Sequence, residues 1–239
     1  MLMTSTLAGS AISGMTGLAG GTFILAVIAS VVPTAYIIPL HAAVAFMSNS
    51  ARVGLFRRYV RWEIFGLFVL GMLPGALIGI RVFRMIDPHI IKLSMGLFIL
   101  TMVFIPLRKR EQEEGVGIFV PVGFAAGLLG IFFGSIGPLI ARFFLRNDIS
   151  KEQLVGTKAA CQTLGHLVKI PLFGWVVGAN VLNFGWLLLW LGIMVLAGVF
   201  LGRMMLENVS EKTFRFIFRF GLGAIALRIV ILEILALAR

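Results

Sequence analysis

Uncharged apolar windows at 3–32, 65–80, 93–107, 115–141 and 180–202 constrain this chain more than any other feature. Each reaches or approaches the ~20 residues that a helix needs to cross a bilayer core. Of 239 residues, 59% are hydrophobic and 13% charged, whereas a soluble domain carries about 25% charged residues. No soluble fold hides that much apolar surface. The windows are aliphatic and glycine-rich rather than alternating in ~10-residue stretches, which favours helices over a membrane barrel. The expected class is all-α and polytopic, with the lipid bilayer as solvent and first partner.

Twenty-one Lys and Arg against ten Asp and Glu give a net charge of +11, a balance that in water would suggest nucleic-acid binding. Here the basic residues cluster just beyond apolar segments, as membrane anchors do, and no soluble basic domain exists to grip a polyanion. No nucleic-acid partner is expected. The single cysteine, Cys161, excludes an internal disulfide and reads as a packing residue. Residues 1–13 carry no basic n-region, so a cleaved signal peptide is not expected.

Hydropathy marks eight segments, at 3–32, 36–56, 62–83, 90–107, 116–144, 153–173, 184–204 and 214–238. The first and fifth are too long for one simple crossing, and both are interrupted by glycine. Gly17-Leu18-Ala19-Gly20-Gly21 interrupts the first, and Gly130-Ile131-Phe132-Phe133-Gly134 the fifth. Aligning Gly17 with Gly130 and Gly21 with Gly134 makes the chain two copies of a four-segment unit, at 1–113 and 114–239. The polar residues agree with that alignment: His41, Asn49 and Arg52 answer to Lys158, His166 and Lys169, with steps of eight and three in both copies.

Charge bears on orientation. If segments one and five fold back at their glycines as re-entrant hairpins, the loops at 57–61, 108–110, 142–151 and 203–219 share one side. Most of the basic residues then lie there, leaving Arg81, Arg84 and Lys92 opposite. The positive-inside rule prefers this arrangement to eight single crossings. Each half becomes one hairpin plus three crossings, an odd number, so the halves are inverted. A half-hairpin of 12–14 residues rises roughly 20 Å, enough to pass the midplane.

Charged side chains within membrane helices are costly and mark functional positions. At 100° per residue, Ala45, Ser48 and Arg52 lie within about 40° of His41, with Asn49 at the rim. Lys158, Gln162, Gly165 and Lys169 repeat that face, with His166 at its rim. A two-fold axis in the membrane plane would bring the faces together into a pocket without carboxylates, which suits an anion. Arg52 and Lys169 are its expected charges, with His41, Asn49, Gln162 and His166 as supporting donors. Snorkelling of Arg52 and Lys169 to the interface, and packed histidines, are the alternatives.

A helix starting mid-membrane adds unpaired N–H groups and a positive dipole end. Half-helices opening near Gly20, Gly21 and Thr22, and near Gly134 and Ser135, could aim these groups at one anion; close helix packing is the alternative use of such glycines.

Gly-x-Gly-Gly-Gly with a following proline, twice at the start of a four-segment half, is similar to the TauE/SafE sulfite exporter family, also called the toluene sulfonate uptake permeases. The resemblance covers essentially the whole chain. It implies a bacterial inner-membrane carrier for sulfite, sulfoacetate or other organosulfur anions. Here Leu25 takes the first proline slot and Pro138 the second, while Ala19, Phe132 and Phe133 replace family glycines. Those replacements predict a narrower, more apolar pocket.

Two rivals differ in class. An intramembrane hydrolase would use Ser135 as nucleophile and His166 as base, but the repeat places Thr22 and Asn49 at the matching positions, and Asn cannot act as a base. An anion channel would need no more than the same pocket. The sequence holds no ATP-binding motif, so transport would draw on a gradient. Neither a catalytic residue, a cofactor nor a metal is expected, and too few carboxylates stand near the segments to assemble a sodium site. The oligomeric state is left open.

Overall fold

The computed structural model describes residues 2–16, 20–104, 115–205 and 211–238. Among these residues every element is helical and no strand occurs. Ten helices follow in order: α1 (Leu2–Thr16), α2 (Gly20–Val31), α3 (Thr34–Phe56), α4 (Trp62–Met85), α5 (Pro88–Phe104), α6 (Phe119–Phe133), α7 (Gly137–Phe144), α8 (Lys151–Leu172), α9 (Gly185–Met205) and α10 (Glu211–Leu237). The fifth apolar segment is therefore split in two, and the first contributes α1 and α2. The first break, with Gly17 and Ala19, lies outside the described residues, as do Arg108, Lys109, Arg110 and the expected boundary between residues 113 and 114.

The second break is visible in full. Gly134 has φ 63°, a left-handed value that costs other residues steric strain, and it ends α6. The sequence places the new half-helix at Gly134-Ser135; α7 instead starts at Gly137, three residues on, with Pro138 in its first turn. Proline is well placed there because the first N–H groups of a helix have no intrahelical partner.

Trp62–Met85, Val116–Phe133 and Val181–Gly198 are the described helical stretches long and apolar enough to cross a membrane. Leu70, Leu77, Leu196, Phe200 and Phe220 are among the large side chains pointing out of the fold, the arrangement expected where lipid replaces water around a bundle. Helices α3 and α8 are more polar because they lie inside the bundle against one another.

Helix α4 packs on α6 and α1 on α9, while α3 packs on α8 and α5 on α10. Glycines at every fourth position make the α4–α6 contact possible. A β-carbon on Gly71 would run into the Val120 carbonyl, one on Gly75 into that of Phe124, and one on Gly127 into that of Met72. Bare backbones therefore touch, which is how membrane helices gain dispersion energy when no hydrophobic effect separates them from lipid. Gly198 of α9 meets the Leu7 carbonyl of α1 in the same way.

Helices α3 and α8 run antiparallel, since the C-terminal end of α3 meets the N-terminal end of α8. The Arg61 backbone N–H donates to Thr157 Oγ1 at 2.9 Å, and its guanidinium reaches Asp148 Oδ2 at 3.1 Å. Arg146 donates to the other Asp148 oxygen at 2.7 Å, and this contact, helped by Arg61, holds the Asp148 carboxyl below its usual range. Ser150 and Gln153 close α8 with a capping box: each side chain accepts from the other's backbone N–H. At the far end of the bundle, Glu233 of α10 bonds His89 at 2.7 Å and Lys92 at 3.2 Å on α5, so one of the three basic residues left on that side is neutralised.

Candidate functional site

The polar faces of α3 and α8 meet in the bundle interior. His41, Ser48, Asn49, Lys158, His166 and Lys169 are all buried, and Arg52 is half-buried. Burial of so many polar groups in an apolar bundle demands partners. Several are found locally. Asn49 Nδ2 donates to the Ala45 carbonyl at 2.8 Å, and Arg52 reaches Asn49 Oδ1 at 3.3 Å and Ser48 Oγ at 3.4 Å.

The breaks supply other partners. His41 Nε2 lies 3.0 Å from the Gly21 carbonyl oxygen, so that nitrogen carries a proton and donates. Lys169 Nζ donates to the Gly134 carbonyl at 2.9 Å. Thr22 and Ser135, one beside each break, share a hydrogen bond of 3.3 Å between their hydroxyls. The hydroxyl of Ser135 thus pairs with Thr22, whereas the hydrolase reading pairs it with His166.

Two cavities of about 30 Å³ each open among these groups. The first is lined by Gly21, His41, Asn49, Arg52, Ser135, Gln162 and His166 from the expected site, and also by Ser48, Gly137 and Lys158. The second is lined by Gly134, Gln162, Gly165, His166 and Lys169, with apolar walls from α4, α6 and α7 that include Phe68, Met72 and Ile140. Arg52 and Lys169 accordingly face different cavities, and Gln162 and His166 border both. Gly20 is the first residue of α2, and Thr22 reaches the site through Ser135.

Lys158 was legible on the α8 face as the counterpart of His41 but not singled out as a ligand. It shares a cavity with Arg52 because α3 and α8 are antiparallel, which sets the end of one beside the start of the other. Gly137 borders the same cavity, and a β-carbon there would come 2.8 Å from Gln162 Nε2 and 3.9 Å from Lys158 Nζ.

No Asp or Glu lines either cavity, and no salt bridge among the described residues involves Lys158 or Lys169. His41 Nδ1 and His166 Nδ1 are buried without a hydrogen-bond partner, and the two rings stand edge to face with centroids 5.5 Å apart. A pocket rich in cations and N–H donors, without a protein counter-anion, can stabilise an anion stripped of water.

A family model described as sulfite exporter TauE/SafE matches residues 1–229. The chain belongs to the TauE/SafE family. Comparison with curated proteins and with solved structures yields no match. TauE/SafE is by its description a family of sulfite exporters. Its name describes a charge sign that this interior can hold.

Proposed function

We propose that the chain is a multi-pass carrier of the cell inner membrane that moves a small sulfur-containing oxyanion, such as sulfite, sulfoacetate or an organosulfonate, by secondary transport. The observation that carries this reading is half-buried Arg52 with buried Lys158 and Lys169 around cavities that contain no carboxylate. An anion entering the bundle must recover its lost hydration from fixed charges and N–H groups, and these side chains offer both. Arg52 adds a planar fork suited to two oxygens, while the lysines act as point charges.

An inverted repeat is part of the same reading. Exchanging α1 with α6, α4 with α9 and α3 with α8 converts the α1–α9 contact into α6–α4 and leaves α3–α8 and α5–α10 unchanged. Such an exchange is what two like halves related by a two-fold axis would give, the plan on which many transporters build a central site from broken helices. Positive-inside orientation puts the Arg57–Arg58–Arg61 end, with Arg146 and Lys151, in the cytoplasm. Trp62 at that end and Trp175 and Trp186 at the other are largely exposed, as aromatic belts at the two interfaces would be.

Reconstitution tests the proposal. Proteoliposomes of purified protein are offered sulfite, thiosulfate, sulfoacetate and an organosulfonate, with sodium and potassium as cation controls. Saturable movement of a sulfur anion, weakened in Arg52→Gln, is expected. Movement of cations alone, or conductance far beyond carrier turnover, would overturn it.

A further inference from the structure

The two cavities are not independent accidents of packing. Arg52 answers to Lys169, Asn49 to His166, Ser48 to Gly165 and Gly21 to Gly134 in the repeat spacing. The first member of each of these pairs lines the first cavity and the second member lines the second, while His166 lines both and the His41 counterpart Lys158 stays in the first. Their charges also sit at two levels. Arg52 shares the first cavity with Lys158, near the end where Arg61 meets Asp148. Lys169 lies 11 residues further along α8 than Lys158, about 16 Å at helical rise.

His41 lines the first cavity and touches Gly134, which lines the second. Its Nε2 bonds the Gly21 carbonyl, and its Nδ1, buried and unpartnered, lies 3.4 Å from where a β-carbon on Gly134 would be. One imidazole therefore bridges the glycines of both breaks. His166, whose own Nδ1 is also unpartnered, borders both cavities together with Gln162.

We infer that the cavities are two oxyanion subsites stacked along the α3–α8 pair and used in succession, with the His41 ring as the partition between them. This rests on the carrier reading above. Each cavity is small, about 30 Å³, which favours a compact anionic head. The anion enters against Arg52 and Lys158 from the end bearing Arg57–Arg58–Arg61, and against Lys169 from the opposite end. Gln162 and His166, common to both linings, keep donors on it as it crosses.

The test separates the two faces. Sulfite transport is measured with purified protein in oriented vesicles, once with sulfite only at the Arg57–Arg58–Arg61 face and once only at the other. Arg52→Gln should raise KM about tenfold or more at the first face, the loss expected of one charge-assisted hydrogen bond, and leave the other within twofold; Lys169→Gln should do the reverse. Equal rises at both faces in both variants would mean one shared site and overturn the inference while leaving the carrier reading intact. Unchanged KM at both faces would overturn it too. A wild-type protein that moves no sulfur anion would fail the carrier reading itself.

Because Lys169 also holds the Gly134 carbonyl, a second pair of variants leaves it in place. Ser48→Cys and Gly165→Cys, in a Cys161→Ala background, mark the two cavities, and the space around Gly165 is open. An impermeant thiol reagent should reach Ser48→Cys from the first face and Gly165→Cys from the other, with sulfite slowing both. Labelling of both from one face only, or protection of one alone, would overturn the two-subsite arrangement.

Discussion

Lys169 donates a 2.9 Å hydrogen bond to the carbonyl oxygen of Gly134, the residue whose positive φ ends α6. A carbonyl at a helix C-terminus has lost its intrahelical donor and sits at the negative end of the dipole. A buried ammonium answers both deficits. The cation thereby fixes the geometry of the break as well as facing a cavity.

Lys169→Met should cost stability of its own, apart from any effect on anion binding. Leaving the Gly134 carbonyl buried without a partner costs about 1–3 kcal/mol. Thermal unfolding in detergent should show a lower Tm for Lys169→Met than for the parent protein. Equal Tm values would reduce the Lys169 contact to a bystander.

Glycine 134 should tolerate substitution less well than Gly21. A β-carbon on Gly134 meets Leu25 Cδ1 at 2.9 Å on a left-handed backbone, and the backbone alone costs roughly 1–2 kcal/mol. On Gly21 it would sit 3.4 Å from Ser135 Oγ, close to ordinary contact. Gly134→Ala is expected to lower both Tm and transport, and Gly21→Ala to leave Tm nearly unchanged. Gly21→Val projects further into the first cavity and should abolish transport in a protein that remains folded.

The backbone contact between α4 and α6 gives a sharp contrast between glycines of one helix. Gly75→Ala drives a methyl group into the Phe124 carbonyl, while Gly66→Ala meets nothing within 4 Å. Overpacking of this kind costs about 1–3 kcal/mol or more when backbone must move, whereas alanine at an open helical position gains about 0.5–1 kcal/mol. Gel-filtration profiles and Tm should show Gly75→Ala aggregating or melting early and Gly66→Ala at least as stable as the parent.

The Arg61–Asp148 contact predicts both sidedness and a pH response. Tyr59→Cys and Asn147→Cys, both at exposed positions beside the contact, should react with an impermeant maleimide from the same membrane face. Asp148 has a carboxyl held low by Arg146 and Arg61, so its stabilising effect is present above the unfolded value near 3.8 and fades as pH falls through the lower folded value. The Tm gap between the wild type and Asp148→Asn should stay constant at neutral pH and close below about pH 4. A gap unchanged down to pH 3 would show that the ion pair contributes nothing.

What the sequence by itself determined follows from local rules. Apolar runs without charge can only be helices in a bilayer, because every backbone N–H and C=O must be satisfied within its own segment. Glycine clusters inside overlong runs announce breaks, and a period of 3.6 places His41, Ser48 and Arg52 on one face of α3 and Lys158, Gln162 and Lys169 on one face of α8. The position of the second half-helix was less legible. Gly134 takes the turn, yet Pro138 cannot donate a helical hydrogen bond and sets the start of α7 three residues later.

Only the tertiary structure decided which of these residues share a space. Periodicity gives the direction of a side chain around its own axis, but not the level at which a partner helix crosses it. That level depends on contacts elsewhere in the chain, such as the bare-backbone packing of Gly71, Gly75 and Gly127 between α4 and α6 and the Arg61–Asp148 contact at one end of α3 and α8. Antiparallel packing then sets Arg52 beside Lys158 and carries Lys169 to the Gly134 break. The same packing puts the His41 ring between two glycines that lie 113 residues apart in the chain, a juxtaposition to which no local spacing points.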